Sequence, residues 1–163
     1  MAYLLDTDVF IRAKNLHYGF DFCPGFWAWL VVANQAGSVM TIDQVAAELM
    51  AGTDDLADWM RARAQEFTLP ADEELLAALA RVSEWIVGRN YRQSAVGLFF
   101  QAADYYLVAH GLAGGHTVVT HEVASGAVTR VKIPDVCLGL GVPCISPFRM
   151  LRSERARFVY SPA

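Results

Sequence analysis

Short apolar runs alternate with amphipathic segments along the chain, and this alternation is the sequence feature that most restricts the possible folds. The runs that we interpret as strands are residues 2–5, 38–40, 68–70, 116–120 and 142–145. Helical spacing of apolar residues predicts helices over residues 26–35, 54–67, 72–87, 102–112 and 134–140. Alternation of this kind is typical of an α/β fold with a mostly parallel central sheet flanked by helices.

Length and composition predict one globular domain. The chain has 163 residues, of which 55% are hydrophobic and 18% are charged, so residues 1–163 are expected to form a single packed domain. No apolar run is long enough to cross a bilayer, and no basic leader precedes an apolar segment at the N-terminus. The three cysteines form no C-x-x-C pair. We therefore expect a cytoplasmic protein that does not insert into a membrane and has no structural zinc site.

The distribution of charge is uneven. The net charge of -4 argues against a broad nucleic-acid-binding surface. Basic residues nevertheless dominate the C-terminal part, and we predict a basic tail from about residue 149 with Arg149, Arg152, Arg155 and Arg157. Such a tail can contact phosphates, an acidic partner or only solvent.

Four carboxylates that are distant in sequence occupy positions that an α/β sheet brings together. Asp6 follows the first predicted strand and Glu122 follows the fourth, while Glu48 and Asp104 lie on predicted helices. Ligands of parallel sheets bind outside the carboxyl ends of the strands, so the four acids are expected to share a cleft. A hard divalent cation with oxygen ligands would offset their mutual repulsion. The pattern therefore predicts metal-assisted phosphodiester chemistry.

Local patterns around these acids allow further expectations. Thr41 with Gln44 three residues later predicts a capping box that begins the helix carrying Glu48. Asp8 and Thr120 lie at strand ends and are candidates for a supporting role. Each acid also has an ordinary structural interpretation: Asp6 or Asp104 as a cap, Glu48 as a solvated helix residue, Glu122 as a loop acid.

Four motifs resemble those of the PIN domain, the metal-dependent ribonuclease fold of VapC-like toxins. They are Leu4-Leu5-Asp6-Thr7-Asp8-Val9-Phe10-Ile11, Thr41 with Glu48-Leu49, Ala103-Asp104 before Leu107-Val108-Ala109-His110, and Val118-Val119-Thr120-His121-Glu122. Their order and spacing are similar to those of the family over nearly the whole chain. Glu122 stands where the commoner form has Asp. The segments 131–137 and 144–147 look like those of a less-studied PIN-like subgroup.

The resemblance implies a three-layer sandwich that binds Mg²⁺ or Mn²⁺ and cleaves RNA. It implies catalytic roles for Asp6, Glu48, Asp104 and Glu122, with Asp6, Asp104 and Glu122 as metal ligands. It further implies the toxin of a type II toxin–antitoxin pair, with an antitoxin protein as partner. The apolar surplus of the composition is consistent with an interface to an antitoxin or to a second copy of the chain.

Two alternatives remain open at this point. Asp6-Thr7-Asp8 is also the pattern of a HAD-like phosphohydrolase with Asp6 as nucleophile, although Phe10 replaces the expected hydroxyl residue and Lys132 is the only candidate lysine. A catalytically inactive PIN-like scaffold that binds RNA or protein is the second. Trp27, Trp29, Trp59 and Trp85 are interpreted as core or partner-facing residues, with stacking on nucleobases as the alternative.

Overall fold

A five-stranded, all-parallel sheet lies at the centre of the molecule. The computed structural model describes residues 1–162, so Ala163, the last residue of the predicted domain, lies outside the described residues. The strands follow the order β3-β2-β1-β4-β5. Their bounds are β1 Tyr3–Leu5, β2 Val39–Ile42, β3 Thr68–Leu69, β4 Thr117–Val119 and β5 Cys144–Ile145. The predicted α/β class with a parallel sheet is confirmed.

Helices flank the sheet and connect its strands, as expected for a three-layer sandwich. In chain order they are α1 Thr7–Arg12, α2 Pro24–Gln35, α3 Asp43–Met50, α4 Asp55–Arg61, α5 Ala64–Phe67, α6 Glu73–Val87, α7 Gln93–Gln101, α8 Ala103–Gly114, α9 Ile133–Leu140 and α10 Pro147–Ser153. A π-helical segment, Ala13–His17, continues α1. Helix α8 packs against α3, α6, α7 and α9 as well as β2 and β4, which explains why it is apolar on most of its surface.

The strand order reverses between β1 and β4. After β1, the strands β2 and β3 lie on one side of β1, and the later strands β4 and β5 lie on its other side. Leu4 of β1 is paired with Met40 of β2 and with Val118 of β4. The carboxyl ends of β1 and β4 are therefore neighbours at a topological switch point, where open α/β sheets bind their ligands.

Two helical segments differ from the prediction. The single helix predicted over residues 54–67 is wrong, because the chain forms α4 and α5 with a break at Ala62 and Arg63. Asp54 begins α4 by accepting a hydrogen bond from the Ala57 amide at 3.0 Å. The backbone of Arg63 is not helical, with φ of -133° and ψ of -2°. Helix α7 was not predicted, since its continuous apolar run around Gly97 has no clear helical period.

The predicted basic tail begins inside a folded helix. Ser146 caps α10 by accepting a hydrogen bond from the Arg149 amide at 3.2 Å, and Pro147 occupies the first turn. Met150 and Leu151 of this helix are buried in the core. The basic side chains of α10 therefore project from a packed element.

The capping box predicted at Thr41 and Gln44 is wrong. Thr41 lies within β2, and Ile42 occupies the N-cap position of α3 without a side-chain cap. The buried Thr41 hydroxyl instead donates a hydrogen bond of 2.7 Å to the carbonyl oxygen of Leu5. Thr41 thus joins β2 to the end of β1, directly before Asp6.

None of the helices within residues 1–162 combines the length and apolar character needed to span a membrane.

Candidate active site at the switch point

A cleft of about 550 Å³ opens at the carboxyl ends of β1 and β4. Three of the predicted site residues, Asp6, Asp104 and Glu122, line it together with Asp8. The fourth predicted acid, Glu48, reaches the same place through Thr7, which also lines the cleft. Chain segments separated by about a hundred residues therefore meet here, as the sequence pattern predicts.

Asp6 is the most buried of these acids, with 5% of its surface exposed. It caps α1, since its Oδ1 accepts a hydrogen bond of 2.7 Å from the Thr7 amide. Its Oδ2 accepts a hydrogen bond of 2.8 Å from the Thr120 hydroxyl. Burial, followed by repulsion from Asp8 and Asp104, raises the pKa of Asp6 to about 9. The capping interpretation and the active-site interpretation therefore both apply to this residue.

Asp8 and Thr120 support the end of β4. The Thr120 hydroxyl lies 3.3 Å from Asp8 Oδ2, and the His121 amide donates to both Asp8 oxygens at 3.2 and 3.3 Å. Thr120 is buried, and its hydroxyl oxygen accepts a hydrogen bond of 3.1 Å from the Glu122 amide. This network holds the start of α1 against the loop that follows β4.

Glu48 connects two helix N-termini. Its Oε2 accepts a hydrogen bond of 2.6 Å from the Thr7 hydroxyl, and its Oε1 accepts one of 3.2 Å from the Ala103 amide in the first turn of α8. A carboxylate at this place is favourable because it pairs with an otherwise free amide and with the positive end of the helix dipole. Glu48 therefore fixes α8, and Asp104 on it, relative to α1.

Asp104 lies in the first turn of α8, with Ala102 as the N-cap residue. It is half-buried in the cleft, and burial, followed by repulsion from Glu122 and Glu48, raises its pKa to about 6. Arg130 acts in the opposite direction and lowers this pKa. No ion pair of Asp6 or Asp104 with a basic side chain occurs within residues 1–162.

Glu122 already has partners on both carboxylate oxygens. Oε1 forms an ion pair of 2.9 Å with Arg130, and Oε2 accepts a hydrogen bond of 2.8 Å from the Ile133 amide at the start of α9. The Glu122 side chain is 12% exposed, whereas that of Arg130 is 66% exposed. Glu122 thus closes the loop of residues 123–132 and orients it beside the cleft.

Basic side chains complete the walls of the cleft. Arg12 from the end of α1, together with Arg130 and Lys132 from the loop before α9, lines the same cavity as the acids. The sequence predicts no site role for Arg12 or Arg130, and it offers Lys132 only as the lysine of the HAD-like alternative. Arg130 and Lys132 belong to the basic C-terminal part of the sequence, but only the fold brings them back to the end of β1.

The acids surround the cleft without converging on one point. Within the part of the chain that the structure describes, no group of three or more His, Cys, Asp or Glu side chains forms a ready-made metal centre. The donor set nevertheless suits a hard cation, because Mg²⁺ takes only one or two direct carboxylates and keeps several waters. Burial, followed by neighbouring acids, raises the pKa of Asp6 and so disfavours its carboxylate form; a bound divalent cation would favour that form again.

Fold and site together define an α/β protein with an acidic cleft at the switch point of a parallel sheet. A family model described as a domain of unknown function (DUF4411) matches residues 3–158. The chain therefore belongs to the DUF4411 family. Comparison with curated proteins and with solved structures found no match.

Proposed function

We propose that this chain is a ribonuclease that hydrolyses phosphodiester bonds with Mg²⁺ or Mn²⁺ as cofactor. The observation that carries the proposal is the composition of the cleft, in which the buried Asp6 and the half-buried Asp104 share the walls with the basic side chains of Arg12, Arg130 and Lys132. Acids alone would repel a polyanion, and bases alone would only bind it. A cleft with both can hold a divalent cation and a phosphodiester side by side.

Asp6 and Asp104 are the residues best suited to hold the cation. Both line the cleft, and neither is neutralised by an ion pair among the described residues. Glu122 is the third candidate ligand. It is less suited than Asp6 and Asp104, because its two oxygens already pair with Arg130 and the Ile133 amide. When bound, such a cation supplies Lewis-acid activation of water and offsets charge that develops on the phosphate.

The other residues of the site position these groups. Thr120 and the Thr7 amide hold the two oxygens of Asp6, and Glu48 holds the start of α8 that carries Asp104. Asp8 holds the His121 amide and so fixes the loop after β4. Arg12 and Lys132 form no ion pair within residues 1–162 and can contact phosphate oxygens of the substrate, which would fix the strand in the cleft without reading its sequence.

The choice of RNA and the biological role depend on the resemblance to PIN domains. From that resemblance we propose the toxin role, the antitoxin partner and the cytoplasmic location. The α/β sandwich with a parallel sheet is consistent with a PIN-like fold. Exposed apolar side chains such as Leu76, Val87 and Leu138 offer surface for an antitoxin or a second copy of the chain.

A HAD-like phosphohydrolase is the second candidate, and Lys132 is the observation that favours it. This lysine lines the cleft together with Asp6 and Asp8, as that chemistry requires. Against it, both oxygens of Asp6 already accept hydrogen bonds, and its raised pKa of about 9 makes it a poor nucleophile. A covalent phosphate on Asp6, trapped and found by mass spectrometry, would establish this alternative.

Cleavage of labelled single-stranded RNA tests the proposal. We expect cleavage with Mg²⁺ or Mn²⁺, none with EDTA, and a loss of at least about 100-fold in Asp6→Asn and in Asp104→Asn. Glu74→Gln is the matched control, because Glu74 is an exposed acid on α6 away from the cleft. Equal cleavage by the wild type and both cleft variants would refute the proposal. Cation binding without any cleavage would favour the inactive scaffold instead.

A further inference from the structure

A second cavity of about 400 Å³ lies outside the acidic cleft. Its walls come from the end of α6 and the following loop, which supply Trp85, Arg89, Asn90 and Tyr91, and from α9, which supplies Leu138 and Gly139. This volume is within the range of small-ligand sites, of about 300–1,000 Å³. None of these residues takes part in the site described above.

Flat side chains dominate the walls of this cavity. The ring centroids of Trp85 and Tyr91 are 6.4 Å apart at an interplanar angle of 52°. The Arg89 guanidinium carbon lies 4.5 Å from the centre of a Trp85 ring. Nucleobases stack on aromatic rings and on guanidinium planes, so this arrangement suits a flat heteroaromatic ligand.

Gly139 determines the position of the indole. A Cβ atom added to Gly139 would overlap the Trp85 ring, with Nε1 only 2.5 Å away. The absence of a side chain on α9 therefore lets the indole edge lie directly against the helix backbone. Trp85 Nε1 is buried and has no hydrogen-bond partner among the described residues. The indole therefore presents a ring face, and not its N–H group, to a ligand in the cavity.

Polar groups of the walls favour a base over an aliphatic ligand. The Asn90 amide presents a donor and an acceptor, and Arg89 presents several donors. The edges of nucleobases carry donors and acceptors together, which such side chains can match. Asp135 also lines the cavity, and its oxygens accept hydrogen bonds of 3.3 Å from the Ser125 and Gly126 amides.

One loop borders both cavities. Residues 123–132 contribute Val123, Arg130 and Lys132 to the acidic cleft, and Gly126 and Val128 to the second cavity. A nucleic acid strand held at the cleft would reach the second cavity by crossing this loop. We propose that the Trp85–Tyr91 cavity binds a nucleobase of the RNA strand that is cleaved at the acidic cleft. The assignment to the strand rests on the proposed ribonuclease function, whereas base binding itself does not.

The indole N–H signals of the full chain give a direct test. The protein has four tryptophans, and the signal that disappears in Trp85→Phe identifies Trp85. In EDTA, where cleavage is not expected, three probes are titrated: a single-stranded oligoribonucleotide, an abasic oligomer of equal length and charge, and a nucleoside monophosphate. We expect the oligoribonucleotide to shift the Trp85 signal at concentrations where the other two do not.

Variants provide a second measurement by fluorescence anisotropy of a labelled oligoribonucleotide. Trp85→Leu removes the ring and is expected to weaken binding about tenfold relative to Trp85→Phe, which keeps one. Both variants lose the indole, so their comparison cancels the common effect on packing. Arg89→Ala is expected to weaken binding more than Arg81→Ala, an exposed charge on α6 outside the cavity.

The remaining outcomes overturn the proposal. A Trp85 signal that no probe moves, or that the abasic oligomer moves equally, would exclude base binding. Equal response to the free nucleotide and the oligomer would exclude the assignment to the RNA strand. Cleavage is measured separately with Mg²⁺. If the protein cleaves RNA but the Trp85 signal does not respond, base binding at the second cavity is refuted and the proposed ribonuclease function is kept. A response at Trp85 without cleavage would refute the proposed function and leave base binding in place.

Discussion

Replacement of Asp6 by Asn should stabilise the cation-free protein. Asp6 is buried, and its pKa is raised from 3.8 to about 9, first by burial and then by Asp8 and Asp104. Because the pKa in the folded state is higher than in the unfolded state, folding favours the protonated form. The associated stability is complete below pH 3.8 and decreases as the pH rises towards 9.

The size of the effect follows from this pKa. Each pH unit between the two values corresponds to about 1.4 kcal/mol, so the wild type loses up to about 4 kcal/mol between pH 3.8 and pH 7. Asn avoids this loss because it does not titrate. Its side-chain oxygen can still accept from the Thr7 amide, as Asn is a good N-cap residue, and its NH₂ group can donate to the Thr120 hydroxyl.

Urea unfolding in EDTA at pH 5, 7 and 8.5 measures this difference. We expect Asp6→Asn to exceed the wild type in free energy of unfolding, by a margin that grows with pH. Mg²⁺ should raise the stability of the wild type but not of the variant, since a ligand stabilises the state that binds it. Glu74→Gln serves as the control and should show neither effect. A variant less stable than the wild type at every pH, or a margin independent of pH, would show that the Asp6 carboxyl does not titrate with a raised pKa in the folded protein.

Three other predictions concern the fold and the cleft. Thr41→Val removes the buried hydrogen bond to the Leu5 carbonyl and should lower the free energy of unfolding, measured in urea, by about 1–3 kcal/mol. Thr41→Ser retains the hydroxyl and should lose less stability. Equal losses in the two variants would contradict this prediction. Gly111→Ala places a Cβ 2.8 Å from a methyl carbon of β4 and should cost about 1–3 kcal/mol by thermal unfolding, whereas an unchanged midpoint would exclude close packing there. Arg130→Ala removes a charge that lowers the pKa of Asp104, so the acid limb of the pH profile of cleavage should move to higher pH. An unchanged acid limb would mean that Arg130 does not affect the pKa of Asp104.

The parts of the fold that could be predicted from the sequence are those with a strong local period. The apolar runs before Asp6 and Thr120 are central strands, and their order along the chain already indicated that the residues after them meet at one sheet edge. The helix over residues 54–67 was misassigned because its apolar residues keep a helical spacing across the break at Arg63. Helix α7 was not recognised because its apolar residues are too continuous to show a period.

The sequence predicts which acids line the site but not which groups form hydrogen bonds and ion pairs with them. Asp6, Asp104 and Glu122 follow from strand ends and a helix start, which are local features, whereas Glu48 lies in the last turn of α3. The pairing of Glu48 with the Ala103 amide and that of Glu122 with Arg130 depend on how the helices dock after folding. The same holds for Trp85, whose place beside a cavity depends on a glycine more than fifty positions later; helical spacing alone indicates only a core or partner-facing residue.

Calorimetry of Mn²⁺ binding at pH 7 shows whether the cleft holds a cation through Asp6 and Asp104. We expect the wild type to bind Mn²⁺ with release of protons, since burial and neighbouring acids raise the pKa of Asp6 to about 9. We expect binding to be lost in Asp6→Asn and in Asp104→Asn and kept in Glu74→Gln. Binding that persists unchanged in both cleft variants, or that is absent from the wild type, would contradict this expectation.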